Sequence, residues 1–338
     1  MKILFISEHV HTNIGGIEND IRHIGEALKM QGMEVDYMNA KEFTGVSVFD
    51  KNIVLKKEIK KRILESGPDV IHIFGFSSFF LYQCLVLSKK ILPSTQLIYT
   101  PCYHPFSHHK HPSLAFLFFH LFLKKGFKHV DALIALSFKE KEFFTPFIDT
   151  KKIHIIPNGL DVISAIRQKE KPEKSRVLFV GRDDHNKRLD FLLTQEEYFR
   201  GRGVCVDIVT NHKADSNDVF IFHTKLSQSE LNALYQKSSV LVVPSKYESF
   251  SIVALEAMAY GTPILISDHV QIKSYLDDNG TFNKVFTYDN KLDFIKKLET
   301  VLNIDPEIYQ QFSKNNIKFT KSFDWHIIVE RLLLIYKA

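Results

Sequence analysis

The sequence predicts two α/β domains, each a parallel sheet covered by helices on both faces. Three observations carry this. Short apolar runs, many rich in β-branched residues, recur at 3–6, 69–74, 96–100, 132–136 and 153–156, with helical patterns between them. The same alternation begins again at 176–180 and continues through 204–209, 219–222, 239–243 and 263–267. A length of 338 residues, 45% of them hydrophobic and 25% charged, gives each half enough chain for its own core and excludes a disordered or collagen-like protein. No short-period repeat or low-complexity segment interrupts the pattern, so two doubly wound domains fit and a solenoid does not.

After the first run, Ile17, Ile21, Ile24 and Leu28 fall at spacings of three and four, with Gly32 beyond them as a stop. A helix therefore starts directly after Gly15 and Gly16. Between the two alternations lie Pro157, Asn158 and Gly159, then the stretch 166–175, dense in Lys and Glu, which reads as an interdomain connection. The boundary falls near residue 158, giving domains 1–157 and 158–322.

Cys84, Cys102 and Cys205 are too few and too odd in number for a disulfide framework, which suits a reducing compartment. The apolar stretch 3–6 is too brief for a signal peptide, and no run reaches the roughly 18 uninterrupted apolar residues of a membrane-spanning helix. A cytoplasmic protein is expected. Residues 1–157 hold 20 Lys and Arg against 15 Asp and Glu, leaving 24 of each among the chain's totals of 44 and 39. An excess of that size does not argue for nucleic acid, but it suits an anionic partner or membrane surface met by the first half.

Open parallel sheets bind ligands beyond the carboxyl ends of their strands, and four such places stand out. Gly15 and Gly16 let backbone amides approach an anion at a helix start, though a plain flexible turn reads equally well. Arg182 and Lys187 sit on the loop after 176–180, where a guanidinium fork and an ammonium can neutralise a diphosphate; two solvated basic residues beside Asp183 and Asp184 are the bland reading. The segment 247–263 carries Glu248 before a helix and Glu256 within its early turns, eight residues apart, with Ser251 placed to cap the helix and Gly261 and Pro263 to end it. The amides of Ser249, Phe250 and Ser251 would face phosphates there, and the carboxylates would accept from sugar hydroxyls; a dipole-favouring Glu beside an exposed one is the alternative. Last, the loop after 96–100 holds Cys102, His104, His108, His109 and His111, which match no zinc spacing and read as a polar loop, so no metal is expected.

These residues resemble the retaining glycosyltransferases of family 4. The resemblance rests on Gly15, Gly16, Ile17 and Glu18; on 155–161; on Val180, Gly181 and Arg182 with Lys187; and above all on 244–250 and 256–263, in the right order along nearly the whole chain. It implies the GT-B architecture, two Rossmann-like domains facing each other across a cleft, and a last helix within 323–338 that crosses back onto the first domain. By motif position Arg182 and Lys187 would bind the donor diphosphate, Glu248 the donor sugar, Glu256 the nucleotide ribose, and Gly15 and Gly16 would close the phosphate site. The implied chemistry retains anomeric configuration without a divalent metal or other cofactor. Where many relatives carry glycines after the first glutamate, this chain has Ser249 and Ser251. The family's active-site histidine falls on Cys102 in an ungapped reading and on His104 in a His-Tyr-His reading; His104 is chosen.

The expected partners are a nucleotide diphosphate sugar and a glycan or lipid-linked acceptor, in surface polysaccharide or glycoconjugate synthesis. The run 114–123, followed by Lys124, Lys125 and Lys128, reads either as an interfacial helix on the inner face of an anionic membrane or as a helix buried in the core. A nucleotide-sugar epimerase of the same architecture is a competing enzyme class, separated by turning over donor without acceptor. A noncatalytic sugar-nucleotide-binding subunit is another, and the presence of Arg182, Lys187, Glu248 and Glu256 argues against it.

Overall fold

The computed structural model describes residues 1–9, 16–43, 46–48, 51–53, 56–76, 78–103, 124–161, 169–212, 214–276 and 283–338. The chain forms two compact units, Met1–Gly159 with Trp325–Ala338, and Leu160–Asp324. Both divisions fall two residues beyond those read from sequence. Asn158 donates to the Asp20 carboxylate, and Gly159 lies so close under the Trp325 ring that any Cβ would overlap it, which binds both to the first unit. The Leu160 N–H donates to the Phe323 carbonyl at 2.8 Å, which binds that pair to the second.

The first unit contains β1 (Lys2–Ser7), β2 (Glu34–Asn39), the short hairpin strands β3 (Val46–Val48) and β4 (Lys51–Ile53), β5 (Val70–Phe74), β6 (Gln96–Thr100), β7 (Ala132–Ala135) and β8 (Ile153–Ile155). Six of them form a parallel sheet in the order β2-β1-β5-β6-β7-β8. The helix Gly16–Met30 buries Ile21, Ile24 and Leu28, as its spacing requires, and Gly32, at φ 77°, turns the chain back into β2. The last helix, Trp325–Tyr336, packs Ile328, Val329 and Leu332 onto the face that holds Ile3, Phe5 and Ile24. Its Tyr336 hydroxyl lies 2.6 Å from His72 Nδ1, and burial presses that imidazole's pKa down to about 3, so it stays neutral.

Sequence reading misses β2, the hairpin and, in the second unit, the strand Lys284–Phe286. Two of these are edge strands. β2 carries Glu34, which pairs with Lys2, and Asp36, which accepts from Arg62 and Ser66, and a strand paired on one side only does not need the unbroken apolar run that marks the interior of a parallel sheet.

Glu140, fully buried, ties two strand-end loops together in this unit. Its carboxylate accepts from the N–H of Tyr103 at 2.5 Å, after β6, and from that of Leu136 at 2.6 Å, after β7. Burial outweighs these amides and pushes its pKa up from 4.5 to about 7. The folded state therefore holds a proton that the unfolded state releases between those values, so stability falls as pH rises from about 4.5 to about 7, by at most about 3 kcal/mol. Urea unfolding across this range should show that slope in the wild type and lose it in Glu140→Gln.

The second unit contains β9 (Arg176–Val180), β10 (Cys205–Val209), β11 (Phe220–His223), β12 (Val240–Val243), β13 (Ile264–Ser267) and β14 (Lys284–Phe286), parallel in the order β11-β10-β9-β12-β13-β14. From β9 the chain winds outward to β10 and β11, then returns to lay β12 on the other flank of β9. The strand order reverses between β9 and β12, which puts the topological switch point at their carboxyl ends. The connection at 166–175 is not wholly a surface linker. Lys169 is 8% exposed, because its ammonium meets helix-end carbonyls inside the unit. No helix among the described residues is long and apolar enough to cross a membrane, and the segment 114–123 lies outside those residues.

Candidate functional site

The loops leaving β9 and β12 meet at this switch point. In the first, the Asp184 carboxylate accepts from the N–H groups of Asn186 at 3.0 Å and Lys187 at 2.9 Å, a side-chain-closed turn that fixes where Lys187 emerges. The loops are then stitched to each other. The Lys246 N–H donates to the Asn186 carbonyl at 2.7 Å, and Asn186 Nδ2 donates to the Tyr247 carbonyl at 3.0 Å. On its far side the second loop is braced by the segment after β13: the Gln271 N–H donates to the Glu248 carbonyl at 3.0 Å, and the Ile272 N–H to the Phe250 carbonyl at 3.1 Å.

This bracing brings Lys187 Nζ to 2.9 Å from Glu248 Oε1, and the Ser245 hydroxyl donates to the same oxygen at 2.6 Å. Glu248 is 9% exposed. Burial alone would push its carboxyl up, but the Lys187 ammonium, with the Ser245 hydroxyl, outweighs it and holds the pKa below the ordinary glutamate value. The result is an ionised, pre-aligned carboxylate beside a cation at the mouth of a parallel sheet, able to accept from hydroxyls while the cation meets an anion.

The other sequence-derived residues are placed differently. Glu256 lies on the helix Ile252–Ala259 and accepts from the Tyr235 hydroxyl at 2.6 Å; burial pushes its carboxyl up, against that hydrogen bond. Arg182 is 76% exposed at its side chain and lies 3.3 Å from Asp184 of its own loop. The Phe250 ring is buried against Tyr275 and Phe323, so it anchors the loop, and Ser249 is half-buried. Gly16 is exposed at the start of its helix, and Cys102 takes a left-handed backbone at φ 47°. Gly15 and His104 lie outside the described residues.

Ser251 occupies the N-cap position but makes no capping hydrogen bond, contrary to the sequence expectation. A cap needs extended backbone to turn its oxygen onto the helix N–H groups, whereas Ser251 sits at φ 114°, ψ 91°, where a side chain is strained. Ser251→Gly should therefore raise stability by about 1 kcal/mol, read as a higher urea midpoint. An unchanged or lower midpoint would mean the serine hydroxyl contributes more than the strain costs.

Sequence reasoning passes over Ser245, Asn186 and Tyr235. Ser245 stands three residues before Glu248 and could have been read as its partner. Asn186 and Tyr235 act on residues 61 and 21 positions away, and neither leaves a local signal.

Residues 14–163 match the Glycosyltransferase Family 4 family, and residues 210–319 match Glycosyl transferases group 1. The chain is 28% identical over 293 residues to the "Uncharacterized 41.2 kDa protein in cps region" of Klebsiella pneumoniae, covering 80% of this chain and 79% of that protein. It is 23% identical over 292 residues to the GDP-mannose:cellobiosyl-diphosphopolyprenol alpha-mannosyltransferase of Xanthomonas campestris, covering 80% and 74%. Its fold matches that of sucrose-phosphate synthase from Thermosynechococcus elongatus with a TM-score of 0.77 at 18% identity, over 99% of this chain and 98% of that one. With two parallel sheets of this topology and both family domains in order along it, the chain belongs to the glycosyltransferases of family 4 and group 1, on the GT-B fold.

Proposed function

We propose that the protein is a retaining, metal-independent glycosyltransferase that moves a hexosyl group from a nucleoside diphosphate sugar to a glycan or lipid-linked acceptor in surface polysaccharide or glycoconjugate synthesis. The observation that carries this reading is the Lys187–Glu248 pair, ionised and 2.9 Å apart at the switch point of the second unit. A diphosphate needs a cation and donor amides, and a sugar needs a fixed acceptor; this corner supplies both. The relative from Xanthomonas campestris, whose name gives GDP-mannose as donor and a diphosphopolyprenol-linked acceptor, supports the substrate classes. The relative from a cps region supports the polysaccharide setting.

In this reading Lys187 lets go of Glu248 in part to neutralise the diphosphate, and the amides at the start of the helix Ile252–Ala259 share that charge. Arg182 joins them by swinging off Asp184, since no packing holds it. Glu248 accepts from the donor sugar's hydroxyls, and Glu256 from the ribose. Gly15, Gly16 and His104 enter by their places in the family motif. The bond from the anomeric carbon to the diphosphate oxygen breaks as that carbon bonds to the acceptor oxygen on the same face. The acceptor's proton passes to the departing phosphate, so retention follows without a covalent intermediate. Stabilising the leaving diphosphate is the largest rate term, and the protein's own cations supply it in place of a metal.

A thermal-shift panel of uridine, guanosine and adenosine diphosphate sugars, run in excess chelator, tests the reading. One base should stabilise selectively, by about 2.7 kcal/mol at a hundredfold excess over Kd. NMR of the product should show the donor's anomeric configuration. No stabilisation by any base overturns the donor assignment, a requirement for metal overturns metal independence, and an inverted product overturns retention.

A further inference from the structure

Lys169 stands out among the buried charged groups because the site chemistry does not use it, although it lies in a stretch whose composition reads as a solvated linker. Its ammonium donates to the Tyr235 carbonyl at 2.9 Å, to the Ser238 carbonyl, and to Thr262 Oγ1 at 2.6 Å. Three N–H groups thus meet three oxygens. Two of the oxygens are carbonyls at the C-terminal end of the helix Gln228–Lys237, where unpaired carbonyls and the negative end of the helix dipole favour a cation. The Thr262 hydroxyl in turn donates to the Tyr235 carbonyl at 2.6 Å, so Tyr235 is clamped twice at its backbone. Residue 169 is itself anchored: its N–H donates to Ser313 Oγ at 2.7 Å, and Gly261, at φ 74°, packs against its Cβ.

The clamp has a consequence at the other end of Tyr235. That side chain is fully buried, its ring stacks on Tyr260 at 5.6 Å, and its hydroxyl holds Glu256 Oε2 at 2.6 Å. The Glu256 carboxylate is therefore aimed by a side chain whose own backbone is nailed down by Lys169. Shifting the end of the helix Gln228–Lys237 by a few tenths of an ångström would lengthen or break a hydrogen bond of that length.

We propose that Lys169 is a positioning residue for nucleotide recognition, acting through Tyr235 to orient the Glu256 carboxylate toward the ribose hydroxyls of the donor. This rests on the reading of Glu256 as the ribose contact, and it assigns to a connector residue the task of tuning affinity for the sugar of the nucleotide without touching it.

Binding of GDP and UDP, each compared with its 2′,3′-dideoxy analogue, separates this from a purely structural role. The wild type should bind one ribonucleotide several-fold more tightly than its dideoxy analogue, and Glu256→Gln should abolish that preference. Lys169→Met and Tyr235→Phe should each reduce the preference at least threefold while leaving dideoxy affinity near the wild-type value. The double variant should be no worse than the more impaired single one. Thr262→Val, which removes one arm of the clamp, should lower the preference less, and it stands in for Lys169→Met if that variant does not fold. If Glu256→Gln keeps the preference, or the wild type binds neither ribonucleotide, the ribose reading falls and the inference with it. If Glu256→Gln loses the preference while Lys169→Met, or its stand-in, keeps it, the ribose reading survives and the role of Lys169 is overturned.

Discussion

Glu248→Gln is expected to lower kcat/KM for the nucleotide-sugar donor by about a thousandfold, close to 4 kcal/mol of transition-state stabilisation. Glutamine has the same shape, so the loop bracing by Asn186, Gln271 and Ile272 stays in place. What disappears is a full negative charge on an oxygen already aligned by Ser245 and Lys187. The amide also presents N–H groups where the sugar offers hydroxyl hydrogens. Binding of the nucleoside diphosphate without sugar should change far less, which distinguishes loss of the sugar contact from collapse of the site. The stability profile should change too. Because the folded-state pKa of Glu248 is depressed, its ionisation stabilises the fold above the unfolded value of 4.5, and that contribution is lost as pH falls through the folded value. The glutamine variant should lack this acid-dependent loss. Wild-type kcat/KM in the variant would remove Glu248 from the reaction.

Lys187→Ala should impair donor binding and turnover together, raising KM and lowering kcat for a combined loss of about a hundredfold to a thousandfold. Both effects arise from one missing charge, which meets the diphosphate in the ground state and more strongly as it departs. Truncation also strands Glu248. With the ammonium gone, burial would prevail over the remaining Ser245 hydroxyl and push the carboxyl above the ordinary glutamate range. Breaking a largely buried pair from one side should cost about 2–4 kcal/mol of stability, below the deeper-buried extreme because Lys187 keeps some contact with water. Lys187→Arg should not restore full activity, since a planar fork cannot occupy the point position of an ammonium set against Glu248 by a stem that runs past Gly181. Calorimetric titration with the preferred nucleoside diphosphate checks the binding half, and unaltered affinity would sink the assignment.

Much of the architecture is legible along the chain. Interior strands such as β5, β6, β12 and β13 are buried on both faces and so are apolar at most positions, with polar exceptions such as His72, which a reader can see in the residues alone. Edge strands escape because half their surroundings are solvent. Glu248 and Lys187 are also visible, as charged residues stranded at the ends of apolar runs where a solely structural chain has little use for them. Arg182 is equally visible and yet stands exposed beside Asp184, whose carboxylate closes the turn that directs Lys187 toward the second loop. Lys169 reads as the most ordinary residue in a charged linker and proves to be the most deeply embedded lysine among the described residues.

Strand and helix periods, turn residues, and the kinds of groups available at each strand end were determined by the amino-acid order itself, because burial and backbone preference act over a few neighbouring positions. Which of those groups meet was decided only by the tertiary structure. The 61 positions between Lys187 and Glu248 are spanned because β12 returns to the flank of β9. Likewise Lys169 reaches Tyr235 only because a connector folds onto the end of a helix 66 positions later. Distances of that kind depend on the order in which strands are laid down and on what each loop finds beside it, and no local pattern encodes either.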